Sequence, residues 1–190
     1  RLLAALLAAA DAPIPKALLA TLTGMESDDV ERNLRRWGAL IEHHGDAARL
    51  YHRATRAYIA TTGDTLAGAH NAFVELGLRL SQGAPERSGW PDERHLSDRL
   101  ARHATLRGTA PGARFTVERA WIRAQERRHG DLRAAAVDAA WSLRAAAGGD
   151  SALQLVRSAA LASVLTFRAR SLPPRAPAEI FAAAVDRGQP

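Results

Sequence analysis

The chain has 190 residues, of which 47% are apolar, enough for one large or two small hydrophobic cores. Alanine fills 42 positions and aromatic residues make up only 5%, a composition suited to closely packed helices. The formal charge is +6, every basic residue except Lys16 being arginine, and there is no cysteine. The missing cysteines exclude a disulfide framework, a thiol nucleophile and a thiolate metal site, as expected in a reducing, cytoplasmic setting. Acids and bases are interleaved, as in Arg94, Asp98, Arg99 and Arg102 or Glu118, Arg119, Arg123 and Glu126. These are solvated helix faces, and no basic block marks a nucleic-acid tail.

In chain order, Leu2, Leu3, Leu6 and Leu7 recur at helical spacing, and Pro13 and Pro15 end that helix and start the next. The run from Leu2 to Ala10 has the composition of a signal h-region but lacks a basic leader beyond Arg1 and passes into a patterned helix. No stretch reaches the roughly 18 apolar residues that a membrane span needs. A second helix carries Leu18, Leu19 and Leu22 and stops before Gly24. A third, capped by Ser27, places Val30, Leu34 and Trp37 on one face, with Asp28, Asp29 and Glu31 in its first turn.

After Gly38, residues 39–42 and 49–51 read as two short strands around the polar stretch His43-His44-Gly45-Asp46, which is a wing. A helix from Arg53 to Ala60 follows, with Tyr58 and Ile59 as its expected core contacts. Helix, helix, helix, hairpin, helix is the winged-helix order. The expected domains are therefore a winged-helix domain at 1–60 and a helical arm or array at 61–190.

In the second part, Leu66, Phe73, Leu76 and Leu80 mark one face of a long helix to Gln82. The Pro- and Gly-rich loop Gly83 to Pro91 is a joint anchored by Trp90. Helices are predicted at 92–107, 115–129, 132–147, 151–170 and 177–187, joined by short Gly-rich connections as in an antiparallel array. No convincing internal period joins Trp121 to Trp141. The fold class is mainly α, a winged-helix unit with a small hairpin wing followed by an antiparallel helical array.

Chemistry-bearing motifs are sparse. No phosphate loop, Gly-x-Ser-x-Gly elbow or catalytic triad occurs, so the segment is expected not to be an enzyme. His43 and His44 lack a third ligand at a recognisable spacing, and His95 and His103, about 80° apart on a helix, are not the i,i+4 pair of zinc helices. These histidines read as surface or packing residues, and no metal is expected. Trp37, Trp121, Trp141 and Phe167 read as core anchors on Ala-rich faces. Arg32, Arg35, Arg36 and Arg49 offer contacts to DNA, but the acidic first turn of the third helix faces the place a polyanion would occupy.

More distinctive is Leu50-Tyr51-His52-Arg53-Ala54-Thr55-Arg56-Ala57-Tyr58-Ile59, where a strand runs directly into a helix that opens with histidine. Here the chain resembles the winged-helix domain of bacterial STAND signalling ATPases, relatives of NB-ARC proteins, in which a Tyr-His stretch closes the domain. The segment His95 to His103 and the closing Leu172-Pro173-Pro174 resemble that family's helical arm. The resemblance implies that His52 senses nucleotide by touching the diphosphate of ADP. Arg53 stands where plant and animal members carry Asp.

The resemblance further implies a non-catalytic regulatory segment that relays nucleotide state. Its partners would be an upstream NTPase module and downstream sensor repeats of the same chain, with self-association or other protein partners in addition. ADP or ATP would be contacted only together with the upstream module, so this segment holds no cofactor of its own. Two other classes are a winged-helix DNA-binding transcription regulator with a helical effector domain, and a helical protein-binding scaffold. Nucleic acid and membrane are not expected partners.

Overall fold

A computed structural model describes residues 1–61, 65–82, 94–107, 115–149 and 151–171. The Trp90 loop, the Pro173-Pro174 segment and the helix expected at 177–187 lie outside the described residues. The protein is mainly α, with nine α-helices among the described residues and a small three-stranded antiparallel sheet near the N-terminus. No described helix is long and apolar enough to cross a membrane. The chain forms two compact units, residues 1–113 and 114–190. The first unit includes the helix Thr65–Gln82, which packs on the helix Leu2–Ala9, and the helix Arg94–Leu106, which packs on Thr65–Gln82.

In the first unit, α1 (Leu2–Ala9) is the central helix, and all of Leu3, Ala5, Leu6, Leu7, Ala8 and Ala9 are buried. Its uninterrupted apolar character goes with burial on nearly every side. The segment Ile14–Pro15 forms a strand, β1, which the sequence did not reveal. It is two residues long and contains a proline that has no N–H to give. α2 (Lys16–Thr23) starts after Pro15, buries Leu18 and Leu19, and ends at Gly24 in the left-handed conformation, φ 68°.

α3 (Ser27–Arg36) buries Val30 and Leu34, with Asp28 and Asp29 in its first turn and Arg35 and Arg36 in its last, both favourable to the helix dipole. Ser27 is its first residue and does not cap it; the backbone carbonyl of Glu26 accepts from Asp29 and Val30. Trp37 is half-buried and follows the helix. A single 3-10 turn, Gly38–Leu40, leads into β2 (Ile41–His44) and β3 (Ala47–Leu50). Gly45 has the positive φ, 62°, that the first residue of a two-residue hairpin loop requires.

β3 is central in the order β1-β3-β2, paired as Ile14↔Ala48 on one side and His43↔Ala48 on the other. Ile14, Ala48 and Leu50 turn their side chains into the core. α4 (Arg53–Thr61) buries no residue; Tyr58 is 71% exposed and Ile59 half-buried, so Tyr58 is not the core contact its apolar ring suggested. α5 (Thr65–Gln82) and α6 (Arg94–Leu106) complete the unit, α5 lying against α1 and α6 against α5. Ala69, Phe73, Val74 and Leu76 of α5 are buried, while Leu80 is exposed.

The second unit contains α7 (Arg119–His129), α8 (Arg133–Ala147) and α9 (Ala152–Ser171). Leu132, Ala135 and Ala139 pack with Ala162 and Leu165, the small alanines letting α8 and α9 approach closely. Trp121 is buried, edge-on to Phe115. Trp141 is half-buried and stacks with the Arg144 guanidinium. Phe167 is 70% exposed and anchors no core, since the buried side of α9 is occupied by Ser158, Ala162 and Leu165.

Candidate functional site

His52 stands at the junction of β3 and α4. Its carbonyl accepts from the N–H of Arg56 and so opens the helix, while its side chain is exposed and meets Tyr51 edge-on, 4.9 Å between ring centroids. The N–H of Tyr51 donates to the carbonyl of Leu40 at 2.8 Å, which brings the exposed Leu40 beside the exposed Tyr51. Leu40, Tyr51 and His52 are thus three exposed residues at the end of the sheet.

The arginines that offered themselves to DNA are largely committed to acids. Arg32 bonds Asp29 at 2.7 Å, Arg35 bonds Glu31 at 3.2 Å, and Arg49 bonds Glu42 across the hairpin at 2.7 Å. Lys16 also holds Glu31 at 2.7 Å, and that hydrogen bond keeps the Glu31 carboxyl below the usual range. Glu42 binds His44 at 2.9 Å from its other oxygen. Acids and bases alternate over α3, which presents no uninterrupted basic face to a polyanion.

A second group lies between α5 and α6, unforeseen in the sequence because its members come from both helices. His103 is fully buried, His95 and His70 nearly so. His103 Nδ1 is 2.7 Å from His70 Nδ1, and His103 Nε2 is 3.4 Å from His95 Nε2. Phe73 stacks flat on His103, 4.2 Å between centroids and 12° between planes. His95 and His103, expected as surface or packing residues, are packing residues.

The hydrogen bonds have one consistent direction. The carbonyl of Pro13 accepts from His95, and because His95 Nε2 faces His103, Nδ1 is the donor by elimination. A neutral His95 then accepts at Nε2 from His103, which in turn accepts at Nδ1 from His70. Burial lowers the pKa of His70 and of His95 to about 4, with Arg102 acting in the same direction on His70 and Arg99 on His95. Desolvation holds His103 well below its ordinary value, helped by its two histidine neighbours.

At the edge of this group Asp11, in the segment after α1, lies 3.1 Å from both Arg99 Nη1 and Arg102 Nη1. Beside them, Pro13, Pro15, Asp46, Ala47, His95 and Arg99 line a cleft of about 490 Å³. The three rings form a relay rather than converge on one point. Among the described residues, no group of three or more His, Cys, Asp or Glu side chains is arranged to hold a metal ion.

In the second unit Asp138 is buried on α8 and accepts at Oδ2 from Trp121 Nε1 at 2.9 Å and Gln125 Nε2 at 2.7 Å. This is a structural tie between α7 and α8, one that an acid within an alanine-rich helix could have signalled. Comparison with known proteins returned no match among family models, curated proteins or solved structures.

Proposed function

We propose that this chain is a non-catalytic regulatory segment of a STAND-type signalling ATPase, passing nucleotide state from an upstream NTPase module to downstream sensor repeats. Residues 1–60 are read as its winged-helix domain and 61–190 as its helical arm. Support comes from the order α1-β1-α2-α3-β2-β3-α4 and from a sheet whose last strand is central. The observation that carries the reading is the exposed group Leu40, Tyr51 and His52, where an imidazole at a helix start is open to a partner that brings a phosphate.

Under this reading the group docks on the NTPase module and His52 donates to the ADP diphosphate. ATP or ADP binds only at that junction, and the segment performs no chemistry of its own. The ion pairs over α3 and the hairpin weigh against the DNA-binding alternative.

Hydrogen exchange on the longer protein tests this proposal. Residues 38–61 are expected to exchange more slowly with ADP bound than with ATP bound. Equal exchange in the two states removes the relay.

A further inference from the structure

We propose that the His70–His103–His95 chain is an acid-released latch, which holds α5 and α6 closed on each other and on the N-terminal helices and lets them open as the pH falls below neutrality. The geometry leaves room for one added proton at most. His103 is enclosed by a histidine on each side and by the face of Phe73, and its two ring nitrogens are already used. One proton can be taken up by a change of tautomer, His103 then donating to both neighbours, but a second on any two of the three rings sets N–H against N–H at one of these contacts.

The charged surroundings sharpen the effect. Arg99 and Arg102 of α6 face the cluster, Asp98 lies near His95, Asp11 approaches from the segment after α1, and Arg56 of α4 stands near Arg102. The net field of two nearby arginines against Asp11 repels a further cation. The desolvated state of all three rings agrees with this arrangement.

The direction follows from proton linkage. Well above the ordinary histidine value of 6.5, the rings are neutral whether the helices are closed or open, and opening takes up no proton. Below 6.5 the opened helices bind protons that the closed cluster refuses, so closure weakens until the closed-state values of about 4 are reached. In that window the two protons that the closed cluster refuses weaken closure by up to about a hundredfold per pH unit, about tenfold for each. The second unit contains only the exposed His129 and lacks such a device.

Hydrogen exchange on the full chain at pH 7 and pH 5.5, corrected for intrinsic rates, tests the latch above the usual carboxylate range. Amides of residues 65–82 and 94–106 should lose protection by more than about tenfold at pH 5.5, while residues 133–147 and 152–171 keep theirs. His103→Gln should reduce that loss by about tenfold. His70→Gln, at the rim of the cluster, makes the same comparison if the central substitution prevents folding. Unchanged protection of α5 and α6 overturns the latch, as does simultaneous loss in both units. So does a full wild-type loss in the variant that folds.

Discussion

Gly77 on α5 meets Leu100 on α6 so closely that a Cβ on the glycine would lie 2.6 Å from Leu100 Cδ1 and 2.7 Å from Cδ2. Leu100 is fully buried, so its isobutyl group cannot swing out to make room. The approach places the two helices near enough for His70 and His103 to bond directly.

Gly77→Ala is therefore expected to destabilise the first unit. Overpacking a filled core costs about 1–3 kcal/mol, which exceeds the helix-propensity gain of about 1 kcal/mol over glycine. In a Leu100→Ala background the clash disappears and the same change should become stabilising by up to about 1 kcal/mol. Urea unfolding of the four proteins of this cycle checks the sign reversal; a glycine-to-alanine effect identical in both backgrounds contradicts the packing account.

Asp11 joins the end of α1 to α6 through Arg99 and Arg102, all three side chains being only partly exposed. Asp11→Asn should cost about 1–2 kcal/mol, between the values of surface and buried pairs. Asp11 also favours the charged forms of His70 and His95, so its neutralisation should move both titrations further down. Imidazole NMR shifts followed against pH measure this directly, and movement toward higher pH contradicts the geometry.

Asp138 collects two donors in the interior of the second unit. Asp138→Ala leaves Trp121 and Gln125 without that acceptor and opens a small void, at an expected cost of about 2–4 kcal/mol. Denaturant unfolding followed by circular dichroism reports it. A loss below about 0.5 kcal/mol would show that the tie is not structural.

Much of the helical framework was legible because periodic leucines and Gly or Pro punctuation act locally: Leu3, Leu6, Leu7, Val30 and Leu34 are buried where their spacing placed them. The Gly45-Asp46 turn was legible for the same reason. β1 was not, since two residues around a proline carry no alternation. Tyr58 and Phe167 are exposed despite their size, because apolar character alone does not say which side of a helix finds a neighbour. The histidine cluster needed the pairing of α5 with α6. The 80° offset between His95 and His103 excludes a zinc-helix pair yet still lets both rings face α5, and His70 carries no local signal of its own.

Nucleotide sensing by His52 is the central claim, and the rate of ADP release from the longer protein tests it most directly. A lost phosphate hydrogen bond of about 1.5–3 kcal/mol corresponds to roughly 10- to 100-fold faster release. His52→Ala is expected to accelerate release within that range and to raise basal signalling. A release rate equal to that of the unmodified protein would contradict the account.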